Sequence, residues 1–286
     1  MFNFLEGIRT DPRFYRQLVC DNELLTEYNC PLEQRMQDLW SHQSYFVFAL
    51  DGRKVWHTAQ GAVVMDAGDA AFVRKGAGIV EQYFEKPFCV LLFFIGDDFI
   101  RATLRDHGPQ QQPGTEQAPP MIRLNSGPLM QGFVHSMLPH FRQAVPAPTE
   151  LLRLKFSELL LTVMNDPANA TLLTYFRSLL RDPVHERVRR VMEDNYCFNL
   201  QLEEYARLSG RSLSAFKRDF QEVFGAAPGK WLRERRLERA RTMLGPGRLQ
   251  VSEVAFQCGF ENLSHFSRAF KEMYGHAPAQ LREAKA

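Results

Sequence analysis

The chain has 286 residues, 45% of them hydrophobic and 24% charged, which allows one or two globular domains with sizeable cores. Its formal net charge of +2 is unevenly distributed, because residues 184–286 carry 18 lysines and arginines against 13 acidic residues, whereas the preceding part carries 17 against 20. The longest apolar run, residues 88–95, is far shorter than the ~20 residues of a membrane helix, and the N-terminus lacks the pattern of a signal peptide, so we expect a cytoplasmic protein and no membrane contact.

Residues 1 to about 40 show no clear periodicity and support no prediction. From about 40 to 100, short apolar runs alternate with turn residues roughly every ten positions, which predicts a small β-barrel or jelly roll. The first of these runs, residues 45–50, ends at Asp51 and Gly52, a dipeptide typical of hairpin turns.

The predicted barrel lacks the residues of a catalytic site. His57 is the one histidine between positions 45 and 95, whereas metal-binding barrels of this kind use two close histidines, a carboxylate and a later histidine, so we predict no metal and no cofactor. No basic residue stands at a sequence spacing from Glu81 that would indicate a catalytic pair. Because no Ser/His/Asp set, phosphate loop or Gly-x-Gly-x-x-Gly motif occurs in the chain, we predict that it is not an enzyme. Several aromatic residues could line a ligand cavity or form a packed core, and the sequence leaves both open: Trp56, Tyr83, Phe84 and Phe93.

Residues 107–120, rich in glutamine and proline, predict an irregular connector. The segments at about 128–143 and 150–164 then show the apolar periodicity of amphipathic helices, and a third segment spans 172–180. The leucines at 150–164 spread beyond one narrow stripe, more than docking onto a barrel requires. We therefore predict a homodimer formed through the helices at about 128–164; the alternative is a helix buried inside its own domain.

One pattern occurs twice between residues 200 and 281. Its alanine and glycine recur at an offset of 49 and its later residues at an offset of 50, so one extra residue stands between Gly259 and Phe266. The first copy comprises Ala206, Gly210, Phe216, Arg218, Phe220, Gly225 and Pro228. The second copy comprises Ala255, Gly259, Phe266, Arg268, Phe270, Gly275 and Pro278. A repeat of this length indicates a supersecondary unit used twice.

Each copy predicts a helix-turn-helix, in which a short helix ends at a glycine and a second helix follows after a tight turn. Ser212 is the candidate N-cap of the first such second helix. The second helices carry apolar stripes that must face a core: Phe216, Phe220, Val223 and Phe224, then Phe266, Phe270, Met273 and Tyr274. Their opposite faces are mostly polar, with Ser214, Lys217, Arg218 and Gln221 in one, and Leu263, Ser264, Ser267, Arg268 and Lys271 in the other. This composition is typical of a recognition helix in a major groove, because arginine can bond guanine bidentately; the alternative is the solvated face of an ordinary helical bundle.

The two copies, together with Arg236, Leu237, Ala240 and Leu244 between them, resemble the DNA-binding domain of the AraC/XylS family of bacterial transcription regulators. The resemblance implies that one long helix, at residues 229–243, joins the copies and that both recognition helices enter successive major grooves of double-stranded DNA. By resemblance, the base-reading positions are Ser214, Lys217 and Arg218 in the first copy, and Leu263, Ser264, Ser267 and Arg268 in the second, with His265 near the backbone. Gln201 and Gln250 stand where the family usually has serine or threonine, so we expect weaker helix caps there.

Residues 66–78 resemble the cupin-like sensor half of such regulators. The order of barrel, helix pair and basic domain is similar to the subgroup that activates type III secretion genes, whose N-terminal halves answer to partner proteins. We therefore expect an α+β chain: a cupin-like barrel with a helical pair at residues 1–181, and an all-α domain of two helix-turn-helix units at 182–286.

The predicted function is a transcription activator that binds double-stranded DNA, is controlled through its N-terminal domain and works with RNA polymerase. The sequence does not say whether its effector is a small molecule or a protein. Two alternatives remain, a DNA-binding adaptor regulated only by a partner protein and an enzyme with an appended DNA-binding module. The five cysteines are scattered and form no Cys-x-x-Cys pair, which argues against a zinc-binding repair enzyme and predicts reduced, buried thiols.

Overall fold

The computed structural model describes residues 1–10, 16–29, 35–82, 88–107, 118–143, 145, 147–181, 183–245 and 249–283. Its contacts divide the chain into two compact units, Met1–Asp182 and Pro183–Ala286, which we call the N-terminal and C-terminal units. Most of the predicted connector at 107–120 lies outside the described residues, as do Tyr83 and Phe84. None of the described helices combines the length and apolar character that crossing a bilayer requires.

The N-terminal unit contains two β-sheets. The described strands are β1 (Phe2–Asn3), β2 (Arg16–Cys20), β3 (Glu23–Asn29), β4 (Met36–Ser41), β5 (Ser44–Asp51), β6 (Arg53–Thr58), β7 (Gly61–Asp66), β8 (Ala70–Val73), β9 (Gly76–Gln82), β10 (Cys89–Ile95) and β11 (Met121–Leu124). Five of them form one sheet in the order β1-β4-β9-β6-β7, and six form the other in the order β11-β8-β5-β10-β3-β2. The β structure thus extends beyond the predicted range of about 40–100 at both ends.

The turn predicted as a hairpin joins the two sheets instead. β5 lies in the six-stranded sheet and β6 in the five-stranded sheet, so Asp51 and Gly52 connect strands that do not pair, and the hairpin prediction was wrong. Gly52 has a φ of 80°, which permits the sharp change of direction. The dipeptide specifies a tight turn, but the next strand's sheet depends on distant packing. The hairpin in this region is the one between β6 and β7, whose Thr58 and Gly61 are paired residues.

Helices cover the outer face of the six-stranded sheet. The described α-helices of this unit are α1 (Phe4–Thr10), α2 (Asp97–His107), α3 (Pro128–Met137), α4 (Thr149–Met164) and α5 (Ala170–Leu180), and a 3₁₀ turn at Leu138–Phe141 follows α3. Along β5, Phe46 and Phe48 pack in the core shared with α2 to α5, whereas Tyr45 and Val47 pack in the core shared with the other sheet. β5 is apolar along most of its length because both of its faces are buried.

The aromatic residues proposed for a ligand cavity belong to packed cores where they are described. Trp56 lies in the core between the sheets, with its ring centre 5.9 Å from that of Phe88. Phe93 lies in the core beneath the helices and contacts Phe133 and Phe156 at ring distances of 5.5 and 5.7 Å. Because Trp56 and Phe93 lie in separate cores on opposite sides of the six-stranded sheet, they do not line one cavity.

His57 and Glu81 form a hydrogen bond that the sequence spacing did not indicate. The Nε2 of His57 lies 3.1 Å from the Oε2 of Glu81, and the Nη2 of Arg35 lies 3.1 Å from its Oε1. The hydrogen bond from His57, with a further contribution from Arg35, lowers the pKa of the Glu81 carboxyl. The sequence spacing gives no sign of this partner, because β6 and β9 are neighbours in the sheet although 24 residues separate the two side chains.

The C-terminal unit is helical throughout its described part. Its helices are α6 (Val184–Asn195), α7 (Leu202–Leu208), α8 (Leu213–Phe224), α9 (Pro228–Leu244), α10 (Val251–Gln257), α11 (Leu263–Tyr274) and α12 (Pro278–Glu283). Helices α7 and α8 form the first predicted helix-turn-helix, and α10 and α11 form the second. Helix α9 is the predicted connecting helix, one residue longer at each end than 229–243, and proline is favourable in its first turn. It buries Leu232, Leu237, Ala240 and Leu244, whereas Trp231 and Met243 are half-buried.

Three of the five cysteines are buried free thiols, as predicted. Cys20, Cys197 and Cys258 are all less than 5% exposed, while Cys89 is half-buried and Cys30 lies outside the described residues. Burial raises the pKa of the Cys197 thiol and raises that of Cys258 to about 12. Both of these thiols lie in the C-terminal unit, where Cys258 ends α10.

The guanidinium of Arg236 on α9 holds the two helix-turn-helix units together. Its Nε and Nη2 donate to the carbonyl oxygens of Tyr196 and Phe198, each at 2.7 Å, and its Nη1 donates to the carbonyl oxygen of Gly259 at 3.0 Å. Tyr196 and Phe198 lead from α6 into the first helix-turn-helix, and Gly259 begins the turn of the second. The planar guanidinium holds its donors in a fixed, spread geometry that reaches all three carbonyls, whereas the three donors of a lysine sit on one nitrogen at the end of a flexible stem.

Gly259 permits this junction because it has no side chain. Its φ is +79°, and a Cβ at this position would lie 2.8 Å from the carbonyl oxygen of Cys197 and 3.2 Å from the guanidinium carbon of Arg236. The first distance is shorter than a real Cβ contact, and backbone atoms cannot rotate away from it. The position therefore requires glycine both for its backbone conformation and for the close approach of the neighbouring chain.

The variant Gly259→Ala is expected to destabilise the C-terminal unit by about 2–4 kcal/mol, because a steric clash adds to the cost of the left-handed backbone. Gly275→Ala is the matched control. Gly275 has a φ of +80° and nothing within 4 Å of its Cβ position, so we expect a loss of only about 1–2 kcal/mol. Thermal unfolding of the full chain, followed by circular dichroism, measures both, and equal losses would contradict the close-approach argument.

Candidate nucleic-acid interface

Helix α8 of the first helix-turn-helix begins and ends where the sequence predicts. The hydroxyl of Ser212 caps its N-terminus by accepting from the backbone N–H of Ala215 at 3.3 Å, and Gly225 ends it with a φ of 64°. Phe216 and Phe220 are completely buried, so the stripe they belong to faces the core. The opposite face must then point to solvent, because the two faces lie on opposite sides of one helix.

The solvent face of α8 carries the predicted base-reading residues. Ser214, Lys217, Arg218 and Gln221 are all exposed. The Arg218 side chain is 67% exposed, and its Nε lies 3.7 Å from Asp219 Oδ1, a distance at which the pair contributes little. Asp219 is buried and accepts a shorter bond, 2.7 Å, from the Nε of Arg211. Arg211 thus neutralises most of the buried carboxylate, which leaves the Arg218 guanidinium accessible.

Helix α11 presents a similar face in the second helix-turn-helix. The Oδ1 of Asn262 caps it by accepting from the N–H groups of Ser264 at 2.8 Å and His265 at 3.1 Å. Phe266 and Phe270 are completely buried and orient the helix. The predicted reading positions lie away from them: Leu263, Ser264, His265 and Arg268 are exposed, and Ser267 is half-buried.

The apolar stripes are narrower than predicted. Met273, expected to be buried, is 40% exposed, and Val223, Phe224 and Tyr274 are only half-buried. These residues lie in the last turn and a half of α8 and α11. The two fully buried phenylalanines of each helix therefore fix its orientation, and the later stripe residues contribute less.

The extra residue predicted between Gly259 and Phe266 lies in the turn. Four residues separate α7 from α8, and five separate α10 from α11. The longer turn includes Phe260, which is buried and packs on the ring of Phe266 with ring centres 5.1 Å apart. The offsets of 49 and 50 in the sequence thus correspond to a real difference between the two turns, while the orientation of the reading helix relative to its phenylalanines is kept.

The helix caps at Gln201 and Gln250 are firmer than expected. The backbone N–H of Gln201 donates to the Glu204 carboxylate at 2.7 Å, and that of Gln250 donates to Glu253 at 2.9 Å. A capping box closes both helix starts, so the expectation of weak caps was wrong. The signal was in the sequence, as glutamine followed three residues later by glutamate.

Positive charge is available on the reading helices. Within the described parts of the C-terminal unit, Lys217, Arg268 and Lys271 form no ion pair with a carboxylate. The arginines of α9 differ, since Arg233 pairs with Glu272, and Arg235 pairs with Glu193 at 2.9 Å and Glu238 at 3.0 Å. Helices α8 and α11 therefore each carry cations that have no carboxylate partner among the described residues.

One group of side chains in this unit has the spacing of metal ligands. Single ligand atoms of His185, Asp219 and Glu222 lie within 4.8 Å of one another. The Nε2 of His185 lies 2.9 Å from a Glu222 oxygen, and the guanidinium of Arg211 bonds one oxygen of Asp219. Because these groups already have polar partners in the protein, we assign no metal to them.

Comparison with known proteins gives the same two parts in the same order. Residues 44–175 match the family described as the ExsA N-terminal regulatory domain, and residues 205–284 match a family described as a helix-turn-helix domain. The virulence regulon transcriptional activator VirF of Yersinia enterocolitica is 26% identical over 239 residues, which cover 82% of this chain and 88% of that protein. The HTH-type transcriptional regulator ExsA of Pseudomonas aeruginosa is 26% identical over 242 residues, covering 82% and 84%.

Among solved structures, an apo ToxT variant from Vibrio cholerae aligns with 94% of this chain and 100% of its own, at a TM-score of 0.43 and 12% identity. The matches to the two domain families and the similarity to the two regulators come from the amino-acid sequence of this chain. With matches to an N-terminal regulatory domain and to a helix-turn-helix domain, the chain is similar over most of its length to transcriptional regulators of the AraC/XylS family.

Proposed function

We propose that this chain is a sequence-specific transcription activator whose α8 and α11 enter successive major grooves of double-stranded DNA. The observation that carries the proposal is that α8 and α11 each expose a face with cations that have no carboxylate partner among the described residues. Arg236 on α9 bonds to segments of both helix-turn-helix units and so links the two helices. Relatives named as a transcriptional activator and a transcriptional regulator, VirF and ExsA, support the same function. The match of residues 44–175 to a regulatory domain supports control through the N-terminal unit.

The binding energy would come from two sources. Lysines and arginines that meet phosphates release counterions and provide affinity that depends on salt but not on sequence. Sequence preference would come from base contacts, in which Arg218 and Arg268 can bond guanine bidentately and Leu263 can meet a thymine methyl group. Ser214, Lys217, Ser264 and Ser267 would add further base contacts, and His265 would lie near the backbone.

The variant Arg268→Ala is expected to weaken binding to the specific site by about 1–3 kcal/mol and to remove the preference at one base pair, because each bidentate contact discriminates by that amount. Genome-wide mapping of bound sites supplies the duplex, and affinities for duplexes with single base-pair changes test the preference. Arg35→Ala is the control, since Arg35 is 70% exposed but lies in the N-terminal unit. An unchanged affinity and base preference in Arg268→Ala would remove this residue as a base reader.

We further propose a homodimer through α3 and α4. Helix α4 buries one stripe in its own unit and carries a second stripe of leucines, in which Leu151 is 37% exposed, Leu154 is 66% exposed and Leu161 is half-buried. Near Leu161 the stripe continues into a groove of about 530 Å³ beside Leu129, which is 82% exposed. Exposed large apolar side chains grouped on one helix face are typical of an interaction site.

A second copy of the chain fits this stripe. Two α4 helices related by a twofold axis would bring the same leucines together, as in isologous dimers. Lys155 and Glu158 lie beside the stripe, 2.9 Å apart, and an antiparallel partner presents them in reverse order, so that opposite charges can face each other.

The variant Leu154→Glu is expected to convert the dimer to a monomer, because it places a charge in the apolar stripe. Its effect on the fold of the monomer should be small, since the side chain is 66% exposed. Val64→Glu, at a valine that is 39% exposed on β7, is the control and should remain dimeric. Sedimentation velocity of all three proteins measures the mass, and a dimeric Leu154→Glu variant would contradict the proposed interface.

We also propose that the N-terminal unit is a cupin-like sensor. Its two sheets face each other across a buried aromatic core, which supports this view. The chain would act in the cytoplasm with RNA polymerase and would not be an enzyme. A purely structural adaptor, which does not read bases, is an alternative; it predicts that Arg218→Ala and Arg268→Ala leave function intact.

A further inference from the structure

A cleft of about 810 Å³ lies in the C-terminal unit where the beginnings of α7, α9 and α11 meet. Hydrogen-bond donors from all three regions line it: Asn199, Arg233, Arg236, Ser264, His265 and Arg268. Glu261 is the one acidic residue among its described lining residues. Three guanidinium groups therefore converge on a single depression that holds one carboxylate.

The charges of these arginines are only partly neutralised. Arg236 donates to three backbone carbonyl oxygens, which carry no formal charge, so it adds a fixed positive charge to the cleft wall. Arg268 has no carboxylate partner within the described residues. Arg233 pairs with Glu272, but the two side chains are 43% and 66% exposed, and such surface pairs contribute little. Arg233 can exchange Glu272 for another anion at small cost.

The position of the cleft indicates which anion could bind Arg233 in place of Glu272. Ser264, His265 and Arg268 belong both to the cleft and to the solvent face of α11. A duplex whose major groove receives α11 brings the phosphates at the edge of that groove over the same residues. Arginine binds phosphate with two parallel hydrogen bonds, which a polar cleft of this kind can accommodate.

We propose that the cleft seats the sugar–phosphate backbone at the edge of the groove that α11 enters, with Arg233 bonded to a phosphate. The proposal rests on DNA binding by α11, as proposed above. Arg233 is then a positioning residue that provides affinity for any sequence, Arg236 supplies a fixed charge without moving, and Glu261 opposes the bound phosphate. The cleft would set the depth at which α11 enters the groove.

Affinities of the full-length protein for its mapped duplex and for a scrambled duplex, measured by fluorescence anisotropy over a series of salt concentrations, test this proposal. Arg233→Ala should weaken binding to both duplexes about 3- to 10-fold and reduce the salt slope by about 1. Glu261→Gln should strengthen binding to both about 2- to 5-fold. The glutamine keeps an oxygen that can accept from the Asn199 amide, which donates to Glu261 in the wild-type protein.

Glu272→Gln is the matched control, because it breaks the same ion pair as Arg233→Ala but keeps the cation. It should bind DNA at least as tightly as the wild-type protein. Three results would overturn the proposal: an unchanged salt slope in Arg233→Ala, a loss confined to the mapped duplex, or an equal loss in Glu272→Gln. If the wild-type protein binds the mapped and scrambled duplexes equally, sequence-specific recognition fails, and the slopes on scrambled DNA still decide whether Arg233 meets a phosphate.

Discussion

The C-terminal unit depends on one side chain that donates to three backbone carbonyl oxygens. Arg236 donates to carbonyl oxygens in the segment before the first helix-turn-helix and in the turn of the second. Both helix-turn-helix units are therefore attached to α9 through this side chain. This arrangement requires the chain to pass very close to Gly259, where no side chain fits. Two helices that must meet one rigid duplex need a fixed separation, and a bonded fork on a single connecting helix supplies it more firmly than apolar packing alone.

The two helix-turn-helix units keep the same buried residues and differ in their exposed ones. Each reading helix is oriented by two buried phenylalanines and ends at a glycine with positive φ. Their solvent faces are unlike, since α8 carries Lys217 and Arg218, whereas α11 carries Leu263 and a single arginine, Arg268. Under the proposed function one protomer therefore recognises two dissimilar groove sequences, and symmetry in the operator would come only from a second protomer.

The sequence predicts those parts of the fold in which a local pattern decides the structure. The apolar spacing, the caps and the glycines of α8 and α11 are all contained in short segments, and the change of repeat offset locates the longer turn. The first 40 residues gave no prediction because β3 is buried on both faces and includes the buried Thr26, which hides any alternation. Arg236 lies in a run of arginines that resembles a solvated face, and the hydrogen bond of His57 with Glu81 joins strands that are neighbours in the sheet but distant in the sequence. Such contacts follow from tertiary packing, which spacing does not show.

The buried thiols near this junction give the protein a built-in reporter. Alkylation requires the thiolate, and with a pKa of about 12 only about one Cys258 in 10⁵ is deprotonated at neutral pH. Cys197, whose carbonyl faces Gly259, is similarly protected. Alkylation at these two positions therefore requires a local opening that exposes the thiols. Thiol labelling with and without bound duplex would therefore measure how fast this region opens and whether DNA slows the opening.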